Sequence, residues 1–123
     1  MGGTNVDETT FKRRTKQLGL SAIRVAGMLP RQRTADLLCR QLVRSATSVG
    51  ANYRAACRGK SRADVLSKLA IVEEEADETL YWLELLTESG ILAGEKVVEL
   101  VSETNEILAV TVASIRTLRR PPI

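Results

Sequence analysis

Apolar residues, with an occasional threonine, recur along this chain at alternating intervals of four and three. Phe11, Thr15, Leu18, Ala22, Val25 and Leu29 form the first such run, and Pro30 closes it. At about 3.6 residues per turn this spacing keeps every member on one side of a helix. It predicts an amphipathic helix over 9–29. Leu38, Leu42, Val49, Tyr53 and Ala56, with Ala46 alongside, predict a second over 34–58, and Gly59 is its stop. Ser61 is placed to cap a third helix over 61–89, with Asp64 in the first turn and Gly90 after the end. Its seam reads Val65, Leu69, Val72, Ala76, Leu80 and Leu83. Val97, Val101, Thr104, Leu108, Thr111, Ile115 and Leu118 predict a fourth over 94–118, before Pro121 and Pro122.

No run shows the two-residue alternation of a strand. Four long helices on short connections predict an all-α fold, an antiparallel up-down-up-down four-helix bundle over 9–118. Residues 1–8 are expected to form a flexible N-terminus and 119–123 a C-terminal tail. Aromatic residues are scarce: Phe11, Tyr53, Tyr81 and Trp82. The core must therefore be built of Leu, Val, Ile and Ala. Tyr81 and Trp82, with Leu85 and Leu86, make the third helix apolar over more than one face. A single bundle does not need that much, which points to a subunit interface.

Charge changes the picture most. Residues 1–62 carry 13 Lys and Arg against 3 Asp and Glu, a net +10, while residues 63–123 carry 5 against 12, a net −7. On a helical wheel Arg33, Arg40, Arg44, Arg54 and Arg58 fall within about 80° of arc opposite Leu42. Thr47 and Ala51 share that arc, so the arginines flank a trough of small residues. Such a stripe is either a solvated face, a contact for an acidic neighbour or a contact for phosphate. Arginine in place of lysine favours planar, partly desolvated partners. Lys12, Arg13, Lys16 and Arg24 form a further basic face on the first helix. Gly50, in mid-helix, costs about 1 kcal/mol relative to Ala, which implies a kink or a backbone passing close by. Asn52, near Ser48, reads as a structural polar residue that bonds between helices and fixes register.

The run EEEADE, residues 73–78, places Glu73 and Glu75 among apolar neighbours and Glu78 on the polar face. Buried carboxylates need partners, and the arginines of the basic half are the evident ones. Catalysis finds no support: there is no histidine, and no nucleophile or phosphate loop accompanies the carboxylates. Cys39 and Cys57 stand eighteen residues apart, roughly 27 Å along one helix, too far to bridge. No catalytic residue, cofactor or metal is expected. No stretch approaches the roughly 18 consecutive apolar residues of a membrane span, and MGGTNVDETTFKRR carries no signal-like apolar run. The expectation is a cytoplasmic protein with no membrane partner.

The stretch from Leu42 to Gly90 resembles the four-helix-bundle proteins encoded in bacterial 23S ribosomal RNA intervening sequences. Arg44, Ser48, Asn52, Lys60-Ser61 and Glu78, followed by YWLELL, carry the resemblance, which extends over about residues 11 to 118. Ala55-Ala56 stands where the family often has Glu, and Val65 where it often has an aromatic residue. The resemblance implies an antiparallel bundle assembled into a ring, a homopentamer, with no enzymatic activity. Related bundles are accessory proteins of reverse transcriptases in diversity-generating retroelements, which implies nucleic acid and a reverse transcriptase as partners. Two functions are therefore in view. One is a ring-forming structural or adaptor protein, in which the basic second helix of one subunit meets the acidic third helix of the next. The other is RNA binding through the arginines. The two compete for the same side chains.

Overall fold

A computed structural model describes residues 7–121. It contains α1 (Glu8–Ala26), α2 (Arg33–Cys57), α3 (Arg62–Glu88) and α4 (Val98–Arg119), with a short 3-10 turn, Gly94–Lys96, ahead of α4. Among the described residues there is no strand. Residues 1–6 and 122–123, in the segments expected to be flexible, lie outside the described part. Asp7 is the N-cap of α1, its carboxylate accepting from the Thr10 N–H at 3.2 Å.

Local chemistry explains the end of α1 and both ends of α3. α1 ends at Ala26, ahead of Pro30: Gly27 closes the last turn with its N–H on the Ile23 and Arg24 carbonyls. Ser61 Oγ accepts from the Asp64 N–H at 3.0 Å, and Asp64 returns an acceptor to the Lys60 N–H at 3.1 Å. This reciprocal cap starts α3 sharply after a three-residue turn. At the other end Gly90 takes φ 80°, a left-handed conformation that a side chain would strain, and the Leu92 N–H turns back onto the Leu86 carbonyl.

The four helices pack around one core, as in a bundle. Phe11, Leu18, Leu42, Leu69, Leu83, Leu86 and Ile107 are its largest fully buried side chains. Burying each is worth about 1.5–3 kcal/mol. α2 packs most extensively on α3, α1 on α2 and α4 on α3, whereas α1 meets α4 only sparsely. On α3 and α4 most of the seam that spacing predicts is buried (Leu69, Val72, Ala76 and Leu83; Val97, Thr104, Thr111 and Ile115), but some positions give way to a neighbour. Thr79 and Leu86 are buried where Leu80 is half-buried, and Leu100 and Ile107 are buried where Val101 and Leu108 are half-buried. Both helices are apolar over a wide arc, so packing rather than pattern selects the innermost row.

The buried hydroxyls do not form a polar core. Thr15, Thr104 and Thr111 each donate to a carbonyl three or four residues back. One pair crosses helices: Thr79 Oγ1 lies 2.9 Å from Ser45 Oγ. No buried side-chain polar atom among the described residues lacks a partner.

Candidate functional site

Two glycines bring α1 and α2 together. A Cβ on Gly50 would stand 3.2 Å from the Thr15 carbonyl oxygen, and one on Gly19 3.4 Å from Thr47 Cγ2. The close approach implied by Gly50 is thus a passing backbone. Phe11 and Tyr53 meet edge to face at 4.7 Å one turn further along. Outside this contact the helices leave an open groove of about 610 Å³. Lys12, Arg13 and Lys16 of α1 and Arg54 and Arg58 of α2 line it, with Gly19, Leu20, Ile23, Thr47, Gly50 and Ala51 between them. Leu20 and Ile23 are 39% and 50% exposed. No acidic residue lines the groove. Of its five cations only Lys12 makes an ion pair among the described residues, with Glu8 at 3.7 Å.

The arginine stripe of α2 divides into three parts. Arg54 and Arg58 line the groove. Arg33 and Arg40 line a separate shallow depression at the start of α2, with Arg31, Asp36 and the exposed Leu37. Arg44 is engaged within the chain: Nη1 lies 3.2 Å from Glu75 Oε2, Nη2 contacts Glu78 Oε1, and Nε donates to Gln41. Glu78 also accepts from Trp82 Nε1 at 3.1 Å. Glu75 and Glu78 are therefore paired within the chain. Glu73 is half-buried and makes no ion pair among the described residues. Asn52 differs from expectation: its Nδ2 donates to Ser48 O and Oγ, both at 2.9 Å, within α2 rather than between helices. The amide serves its own helix, one turn back. Arg24 donates to Ser21 Oγ on its own helix.

Arg14 plays a part that sequence reasoning missed. Its Nε and Nη2 both lie 2.7 Å from Glu103 Oε1, with Glu106 at 3.7 Å, joining α1 to α4 where apolar contact is sparse. Its signal was its place between Phe11 and Leu18, at the edge of the seam.

α3 presents an acidic stripe of its own. Glu74, Asp77, Tyr81, Glu84 and Glu88 follow one another at three and four residues and are all exposed. Tyr81, 51% exposed, stands at its centre with Trp82 edge-on at 5.2 Å.

Burial, and then the adjacent Cys57, push the Tyr53 hydroxyl well above the ordinary phenol range. Burial also raises the Cys57 thiol, which makes it a poorer nucleophile. The Asp7 carboxyl is lowered, first by the Thr10 hydroxyl that it accepts from. Among the described residues no three His, Cys, Asp or Glu side chains cluster as a metal site, and no helix is long and apolar enough to cross a membrane.

The family model for the 23S rRNA-intervening sequence protein matches residues 8–113, from the start of α1 nearly to the end of α4. The chain belongs to this family. Among solved structures it is similar to a crystal structure from Bacteroides thetaiotaomicron VPI-5482, described as a protein of unknown function from the S23 ribosomal protein family. The two share 30% identity at a TM-score of 0.82, over 89% of this chain and 97% of that one. No curated protein matches the sequence. Groove and stripe both lie inside the matched region.

Proposed function

We propose that this chain is a non-enzymatic subunit that assembles with copies of itself into a closed ring and acts there as a structural or adaptor protein. In this reading the bundle is antiparallel, and the α1–α2 groove of one copy receives the α3 stripe of the next. The observation that carries it is their complementarity. The groove offers five cations around Leu20 and Ile23, and the stripe offers four carboxylates around Tyr81. An aromatic anchor inside a charged rim is the usual anatomy of a protein interface. Groove and stripe are different surfaces, so the contact is heterologous, and a heterologous contact that closes gives a ring. Five subunits is the number that the family resemblance implies.

The native mass tests this. At micromolar protein and moderate salt, light scattering is expected to give a closed oligomer. Arg54→Glu with Arg58→Glu, or Glu84→Lys with Glu88→Lys, disperses it, and combining all four in one chain restores it. A monomeric native chain, or a ring indifferent to both reversals, refutes the proposal.

A further inference from the structure

The groove does not hold all of the free positive charge. The Arg62 guanidinium donates to the Arg120 backbone carbonyl at 2.7 Å, which brings the start of α3 against the end of α4. Lys60 and Arg62 flank the α2–α3 turn at this end, and Arg116, Arg119 and Arg120 close α4. All five are exposed, and none makes an ion pair among the described residues. The acids in the same region are committed: Asp64 to the Lys60 N–H, Asp7 to Thr10 and Glu8 to Lys12.

Cations at the C-terminal end of α4 complement its helix dipole. Lys60 and Arg62 do not, since they sit at the N-terminal end of α3, where the dipole favours anions. Cations that outnumber the nearby carboxylates and pair with none of them repel one another, so a polyanion outside the chain is their natural complement. We propose that this end of the bundle binds the phosphodiester backbone of RNA. The proposal goes beyond assembly and uses a surface that assembly leaves free.

Three features select this occupant. Four of the five cations are arginines, suited to paired contacts with phosphate oxygens. The large exposed apolar side chains among the described residues (Leu20, Ile23, Met28, Leu37, Tyr81 and Val98) lie outside the five-cation cluster, which therefore lacks the anchor that a membrane surface or a protein partner would need. What faces outward is the α2–α3 turn and the last turn of α4, a short surface for reading bases in a groove. Such a surface reaches phosphates, as duplex RNA recognition by shape requires.

The test measures binding of a short RNA duplex to the full chain as salt rises from about 50 to about 200 mM. The native protein is expected to lose affinity steeply. Arg116→Ala/Arg119→Ala/Arg120→Ala keeps the Arg120 carbonyl, and should bind at least about tenfold more weakly, with a salt slope shallower by roughly two to three. Lys60→Ala/Arg62→Ala should weaken binding in the same direction, and Arg31→Ala/Arg33→Ala should not. Light scattering on the same samples reads assembly separately, so a lost ring and a lost RNA site are told apart. No salt-sensitive binding by the native chain, unchanged binding by the triple variant, or tighter binding of a DNA duplex of the same sequence overturns the proposal.

Discussion

Replacing Gly50 by alanine sets two effects of known size against each other. An exposed mid-helix glycine gains about 1 kcal/mol on conversion to alanine. Here the added methyl would stand 3.2 Å from the Thr15 oxygen and 3.3 Å from its carbonyl carbon. Both are backbone atoms in the middle of α1 and cannot rotate aside. α1 must retreat by a few tenths of an ångström, against a contact held by Gly19 on Thr47 and by Phe11 on Tyr53. Overpacking of this kind costs about 1–3 kcal/mol. The expected balance is a net loss of about 1 kcal/mol, a fall in Tm of about 4 °C for a domain of this size. Gly50→Leu forces three further carbons into the same gap and should cost more than about 2 kcal/mol. Gly94→Ala is the control, because nothing lies within 4 Å of its Cβ position. Urea denaturation followed by far-UV circular dichroism, at fixed protein concentration, measures all three. If Gly50→Ala is stabilised by the full 1 kcal/mol of an unobstructed helix site, the close approach that shapes the groove is refuted.

Two further outcomes follow from the ion pairs and the buried phenol. Arg44→Ala leaves Glu75, whose side chain is only 13% exposed, without its cation, and should cost about 1 kcal/mol after allowance for solvent screening. Arg54→Ala removes no ion pair and should change stability by less than about 0.5 kcal/mol; equal losses in thermal melts would contradict the division of the stripe. Burial raises the folded-state pKa of Tyr53 above its unfolded value near 10.0, so its contribution is complete below pH 10 and is lost as pH rises further. Urea midpoints from about pH 9 to pH 11 should fall for the native chain and fall less for Tyr53→Phe, with Cys57 supplying a residual slope of the same sign. Identical slopes would place the alkaline loss elsewhere.

Four helices in this order were legible because their signals are local. Ser61, Gly59 and Gly90 act within a turn of themselves, and the four-three spacing of α1 leaves only one face to bury. Legibility failed where a choice depends on another helix. Leu80, Val101 and Leu108 are as apolar as the residues buried in their place, and only the rotation of α3 against α4 ranks them. Asn52 carries two donors and two acceptors, and nothing in its spacing says that Ser48 one turn back will satisfy the amide. Arg44 and Arg54 share a stripe, yet only Arg44 lies level with Glu75 and Glu78. Arg14 was overlooked for a related reason. A cation beside an apolar seam looks solvated until the neighbouring helix brings Glu103 against it.

These pairings alter the meaning of the charge imbalance between the two halves of the chain. A basic first half and an acidic second half resemble two surfaces waiting for one another across a subunit boundary. Part of that attraction is already satisfied inside the subunit: Arg14 ties α1 to α4, and Arg44 ties α2 to α3. Each pair joins one helix of the basic half to one of the acidic half, so charge segregation first serves to select partners within the fold. What is left for other molecules is smaller and better defined. The groove cations Lys16, Arg54 and Arg58 face a space without acids, and the α3 stripe keeps four carboxylates free of ion pairs among the described residues. The arginines at the α4 terminus lie apart from both. The surfaces proposed for assembly and for RNA, which compete for one stripe when the sequence is read alone, thus share no residue, and substitutions can test them one at a time.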